Sequence, residues 1–169
     1  MVVDESSTHL DMTTRYARAE RGQRAYAAQQ RNYGKNITLL TGLRLSGMYA
    51  PFVIEGGVNS AVFETYVRRV LLPELRAGDI LILDNLAVHK TANVRRLCQT
   101  HGVNMLFLPT YSPDFSPIEN AFSKLKAFLR HVRAQTLDAL LDAIARGLDL
   151  ISPQDAIGFF TNAGLLNLD

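Results

Sequence analysis

The sequence has no tryptophan and a single cysteine, Cys98, so no disulfide can close within the chain. Cys98 falls in a helical pattern of apolar residues, where a packed thiol is expected in place of a reactive one. A reducing, cytoplasmic setting is expected from that usage. No apolar run approaches the roughly eighteen residues that span a bilayer. The opening residues, Met1-Val2-Val3-Asp4-Glu5, lack the basic patch and apolar stretch of a secretory signal. Internal repeats and low-complexity tracts are also missing. What remains is a balanced globular composition, 47% hydrophobic and 20% charged over 169 residues, enough for a single domain with a buried core across 1–169.

Charge is scarce in sum but uneven in distribution. The net charge is +2, yet Met12 to Arg44 carries seven basic residues (Arg15, Arg18, Arg21, Arg24, Arg31, Lys35 and Arg44) against Glu20 alone. From Ala134 to Asp169 the sign reverses, five aspartates against Arg146. A basic segment on a neutral or acidic body points to a polyanion, or else to a solvated loop that keeps the protein soluble.

The periodicity predicts a mixed α/β domain. Residues 1–6 form a short apolar strand, and another short strand is expected near Arg24–Ala28. Ile37–Leu45 and Met48–Ile54 flank Ser46-Gly47 as a hairpin. Asn59 and Ser60 offer an N-cap for a helix over Ala61–Leu75. The continuous run Asp79–Leu83 fits a strand buried on both faces. Thr91–His101 reads as a helix closed by Gly102, with a strand at Val103–Leu108 after it. Helices follow at Pro117–Arg133, Leu137–Leu150 and Pro153–Asn162.

Three acids stand at the end of a strand or the start of a helix: Asp4, Asp84 and Glu119. Each has a structural explanation, as an exposed terminal residue, as a turn former beside Asn85, or as the return arm of a capping box from Ser116 across Pro117. Taken together they suggest a site. Converging carboxylates repel and raise one another's pKa unless cations bind among them, and hard oxygen ligands suit Mg²⁺ or Mn²⁺. Two such ions support in-line phosphodiester chemistry without a side-chain nucleophile.

The segments Val2-Val3-Asp4-Glu5-Ser6, Leu83-Asp84-Asn85 with His89, and Leu108-Pro109-Thr110-Tyr111-Ser112-Pro113-Asp114-Phe115-Ser116-Pro117-Ile118-Glu119-Asn120 resemble the three signatures of mariner-superfamily DDE transposases of bacterial insertion sequences. The similarity runs from residue 2 to about residue 133, and thirty-four residues separate Asp84 from Glu119, a spacing this group uses. Phe115-Ser116 and Thr110 depart from the usual Leu-Asn and proline. The resemblance implies an RNase H-like α/β fold, a five-stranded mixed sheet flanked by helices. It also implies Mg²⁺-dependent cleavage of transposon ends, followed by attack of the freed 3′-hydroxyl on target DNA at a TA dinucleotide. By position Asp4 would bridge two metal ions, Asp84 and Glu119 would each hold one side, and Asn85 and His89 would orient substrate or the carboxylates. Only three residues precede Asp4, so the first strand is expected to be clipped and the upstream helix-turn-helix region absent. The chain is then expected to be the second half of a transposase split between reading frames, working with a helix-turn-helix partner and, since two ends must be joined, as a homodimer.

On the helix after Pro117, the residues Ile118, Phe122, Leu125, Leu129 and Val132 form one apolar stripe at about 100° per residue. Glu119, Lys126, Arg130 and Arg133 fall on its flank, as a phosphate-tracking face requires. Arg15, Arg18, Arg21, Arg24 and Arg31 would supply a second DNA contact zone, binding backbone and not bases. Two competing readings keep the fold but change what it does. One is a ribonuclease H or junction resolvase; the other is a catalytically dead remnant that only binds DNA. A phospho-receiver domain (Asp4, Glu5 and Asp84) needs an amphipathic helix directly after the first strand, and residues 7–35 lack that period.

Overall fold

The computed structural model describes residues 1–10, 12, 18–26, 36–109 and 113–166. Five strands, β1 (Val2–Thr8), β2 (Ile37–Arg44), β3 (Gly47–Glu55), β4 (Ile80–Leu83) and β5 (Asn104–Phe107), form one sheet in the order β3-β2-β1-β4-β5. The first three pair antiparallel, and β1–β4 and β4–β5 pair parallel. This is the five-stranded mixed sheet expected from the sequence.

Alternation along the strands sorts side chains onto two cores. Val2, Leu39 and Leu43 face α3 (Pro117–Val132), α4 (Leu137–Asp149) and α5 (Pro153–Asn162). Val3, Leu40, Leu81 and Leu83 face α1 (Ser60–Tyr66) and α2 (Ala92–Thr100). The α3 stripe packs as its period requires: Ile118, Phe122, Leu125 and Leu129 are buried, with Val132 partly so. Cys98 is buried among apolar side chains, and burial raises its thiol pKa. Among the described residues no helix is long and apolar enough to cross a membrane.

Four expectations need correction. Asp4 does not stand at the end of a strand: β1 spans seven residues, each paired with β2, and Asp4 lies inside it, while the ammonium of Met1 donates to the Ile80 carbonyl at 2.8 Å. No strand forms at Arg24–Tyr26, whereas Ala27 and Ala28 lie outside the described residues. The helix capped by Asn59 does not run on to Leu75. It widens into a π-helical turn at Val67–Leu71 and tightens to a 3-10 turn at Leu72–Glu74, because Pro73 lacks the amide a continued helix needs and its ring would strike the carbonyl one turn back. Nor is β4 buried throughout, since Ile80 is 53% exposed where α3 does not reach across the sheet.

Gly147 sets how closely α3 and α4 approach, since a Cβ there would overlap Leu125 Cδ1 and lie 3.0 Å from Phe128 Cδ1. Gly147→Val is therefore expected to cost about 1–3 kcal/mol by overpacking, at roughly 2–4 °C in Tm per kcal/mol for a chain of this size. Thermal denaturation followed by circular dichroism checks this, and an unchanged Tm would mean that the interface gives way freely.

Candidate active site

Parallel pairing of β1 with β4 brings the first two acids together. Val2 lies opposite Ile82, so two residues further along the two strands stand Asp4 and Asp84. By alternation both fall on the side of the sheet that α3 covers. Glu119 lies in the first turn of α3, exposed, beside an open cleft of about 590 Å³ that it lines with Asp114, Asn120 and Asn162.

The electrostatics of Asp4 record this convergence. Burial raises its carboxyl pKa, the backbone N–H of Glu5 (2.8 Å from Oδ1) works against that, and the charges of Glu5, Asp84 and Glu119 push it further up, to about 7. Among the described residues the three acids are not closed into a ready-made cage of ligands; repulsion between like charges opposes closer approach. As a donor set they fit a hard divalent cation, being all oxygen, all anionic when ionised, and mutually destabilising without positive charge.

The capping box expected at Ser116 does not form. Ser116 caps α3 without a side-chain hydrogen bond, and Glu119 contributes only its backbone N–H to the Ser116 carbonyl, at 3.2 Å. The contrast is α5, where Ser152 and Asp155 do form a reciprocal box and Asp155 also pairs with Lys124 at 2.6 Å. The structural explanation for Glu119 therefore fails, and its carboxylate is left for the cleft.

A β-bulge lies next to Asp4. Asp4 pairs with Thr41, and the register between β2 and β3 shifts between Leu40 and Gly42. Thr41 Oγ1 donates to the Tyr49 carbonyl at 2.9 Å, and Tyr66 donates to the carbonyl of Ala50, whose φ is 51°. Bulges of this kind re-aim strands beside functional sites.

After β4 the chain makes a bend at Asn85, half-buried, and a 3-10 turn at Ala87–Lys90 that carries His89 inward to complete burial. His89 Nδ1 lies 2.5 Å from Asp84 Oδ1 and Nε2 lies 3.2 Å from Glu5 Oε2, with the ring tilted against Phe63 at 4.3 Å. Burial disfavours its charged form, but hydrogen bonds to Asp84 and Glu5 prevail and raise its pKa to about 9. For Asp84, burial works upward, while His89, the Leu86 amide and the nearby Lys90 hold its pKa below the ordinary carboxylate range.

Of the expected DNA-contacting residues, Lys126 and Arg130 are half-buried on α3 and Arg133 is exposed at its C-terminus, in a left-handed conformation with φ 54°. Lys126 lines a cavity of about 10 Å³ with Ser6 and Thr8 of β1, one step along the strand from Asp4. Arg18, Arg21 and Arg24 are exposed, whereas Arg15 and Arg31, like Thr110, Tyr111 and Ser112 of the third signature, lie outside the described residues. Sequence reasoning weighed Glu5 only as half of a phospho-receiver's acidic pair, and missed Lys90 and Arg95. The two cations share the Phe107 ring at 5.6 and 5.2 Å, and Arg95 Nε donates to the Lys90 carbonyl at 3.2 Å. The lysine directly after His89 was the available signal for this pair; for Glu5 it was an acid beside Asp4 on a strand otherwise flanked by buried residues.

Comparisons with known proteins bear on the fold and the family. The Transposable element Tc1 transposase of Caenorhabditis elegans is 35% identical over 78 residues, 46% of this chain and 29% of that protein. Among solved structures, the Mos1 mariner paired end complex with Mn matches with a TM-score of 0.73 at 18% identity, over 96% of this chain and 51% of that one. The Mos1 transposase catalytic domain with Raltegravir and Mg matches with a TM-score of 0.68 at 17% identity, over 96% of this chain and 76% of that one. The chain thus has the fold of the Mos1 catalytic domain, and spans about half the Mos1 chain of the paired end complex and less than a third of the Tc1 transposase. Residues 1–141, most of its length, match the family described as DDE superfamily endonuclease, and the chain belongs to that family.

Proposed function

We propose that this chain is the catalytic domain of a DNA transposase, cleaving phosphodiester bonds at transposon ends and joining the freed 3′-ends to target DNA, with Asp4, Asp84 and Glu119 as ligands of two Mg²⁺ or Mn²⁺ ions. The observation that carries this reading is the Asp4 carboxyl, raised to about 7 by burial and by the charges of Glu5, Asp84 and Glu119. Such a group is stabilised in its ionised form by a bound cation. When bound, the ions activate a water or 3′-hydroxyl and offset the charge on the leaving oxygen. The Mos1 structures with Mn and with Mg support the choice of ion.

The chain's own residues supply position and charge. Asp4 is held within β1 and Asp84 directly after the neighbouring β4, and Glu119 comes from a helix whose apolar stripe is locked on the same sheet face. Lys90 and Arg95, anchored on Phe107 next to Asp84, and Lys126, Arg130 and Arg133 along α3 provide the cations that take DNA phosphates. Asn85, in the bend after Asp84, orients the substrate strand. Two chains act together, because two ends must be held for joining.

Mn²⁺ is expected to raise the Tm of the wild-type chain by mass action. Asp4→Ala, Asp84→Ala and Glu119→Ala should remove that rise while remaining folded. They should also reduce Mn²⁺-dependent nicking of supercoiled plasmid, and joining of a labelled 3′-hydroxyl duplex to it, on the order of a thousandfold. Nicking without joining would make this a nuclease; no Mn²⁺ binding by wild type would leave a remnant.

Proton linkage gives a second expectation. Between about pH 4 and 7 the folded chain keeps on Asp4 a proton that the unfolded chain has released. Stability of the ion-free chain therefore falls as pH rises through that window. Asp4→Asn removes the effect and should exceed wild type at pH 8, on the order of 2 kcal/mol after allowance for solvent, with the difference fading toward pH 4. Apparent Mn²⁺ affinity should rise about tenfold per pH unit and level off above pH about 7. Denaturation and calorimetry at several pH values test both; a flat profile would remove Asp4 from the site.

Phosphate contacts have their own signature. Lys90→Ala, Arg95→Ala, Lys126→Ala and Arg130→Ala should each flatten the slope of log K for duplex DNA against log salt by about 0.9. A slope that does not change for a given variant excludes that residue from the DNA face.

A further inference from the structure

We propose that Glu5 is a positioning residue: acting through the ring of His89, it determines which oxygen of Asp84 is turned toward the reaction. The inference rests on the assignment of Asp84 as a metal-binding carboxylate and names the device that aims it.

Both fixed contacts to Asp84 land on one oxygen. Oδ1 accepts from the Leu86 amide at 3.0 Å and lies 2.5 Å from His89 Nδ1, and Oδ2 takes part in neither. The carboxylate is thereby committed by one oxygen to the protein and offers the other outward. That arrangement is only as firm as the ring that enforces it. His89 is fully buried and tilted against Phe63 at 4.3 Å, so it can settle in one of two orientations related by a half-turn about its Cβ–Cγ bond. A half-turn would replace Nδ1 with a ring carbon at Asp84. Glu5 Oε2, 3.2 Å from Nε2, is satisfied by one orientation only, because the half-turn presents it with a carbon as well. One ring orientation therefore sets a nitrogen against a carboxylate oxygen at each end, Nδ1 at Asp84 and Nε2 at Glu5, and the other sets a carbon at both. Residues that orient a metal-binding group from behind in this way commonly matter to metal affinity almost as much as the ligands do.

The strand makes the device possible. Asp4 and Glu5 are neighbours on β1, so their side chains leave on opposite faces. Asp4 serves the face covered by α3. Glu5 serves the face that carries Phe63 and Leu40, and it reaches under the sheet end to a histidine eighty-four residues away.

The test uses the full chain. Mn²⁺ affinity is measured by electron paramagnetic resonance and calorimetry for wild type, Glu5→Ala, Glu5→Gln and Asp84→Ala. Glu5→Ala is expected to weaken Mn²⁺ binding about 10- to 100-fold. Glu5→Gln, whose amide oxygen still accepts, should bring affinity back within about threefold of wild type. Wild-type affinity in Glu5→Ala, whatever its Tm, together with loss of binding in Asp84→Ala, would overturn the role of Glu5 and leave the metal site standing. Wild-type affinity in Asp84→Ala would overturn the site itself. Equal failure of Gln and Ala would show that Glu5 acts by charge and not by positioning.

Discussion

Mutual repulsion among carboxylates at one end of the sheet is the constraint around which the rest of this structure is arranged. Water would disperse such groups, and a flexible chain would let them part. Here they are attached to elements that cannot move without breaking a core. Asp4 lies within β1, Asp84 follows the end of the neighbouring parallel β4, and Glu119 opens a helix whose next three turns are buried against the same sheet face. The unfavourable interaction is visible in the raised pKa of Asp4 and is tolerated because the apolar burial on both sides of the sheet outweighs it. A site kept in this condition favours positive charge, since a cation relieves repulsion that already exists.

The opposite face of the sheet answers the same constraint with a different chemistry. His89 brings a positive charge beneath Asp84, and Lys90 adds another beside it. Asp84 therefore stays ionised below the ordinary carboxylate range while Asp4 is held well above it. Two aspartates on adjacent strands thus differ because one is backed by a buried imidazole and the other by buried apolar surface and its fellow acids. Divergence of paired carboxylates by environment is a general means of assigning them separate roles.

Much of this was legible in the residues. The strand runs, the hairpin (its turn at Leu45-Ser46, one residue earlier than expected) and the α3 stripe rest on periods that the fold preserves, and Asp84 and Glu119 mark where a strand ends and a helix starts. The illegible parts share a physical cause. Pro73 redirects the end of α1 through local sterics that outweigh a sound helical period. Ser116 has the residue types of a capping box but does not form one, whereas Ser152 and Asp155, with Lys124 as a third partner, do. Ile80 belongs to an apolar run but is exposed, because burial depends on how far α3 extends and not on the strand's own composition.

Glu5 illustrates the limit most clearly. Within its strand it reads as one more acid beside a stronger candidate, and the local sequence shows no partner for it. Its meaning comes from three separate facts of topology. β1 and β4 are parallel, alternation sends Glu5 to the face opposite Asp4, and the turn after β4 folds His89 back beneath the sheet end. Remove any one and the residue has no partner. A metal-binding carboxylate can be found from motif and spacing because the cation demands it directly. The group that aims that carboxylate is constrained only through another side chain, so its identity follows from the fold and not from the motif.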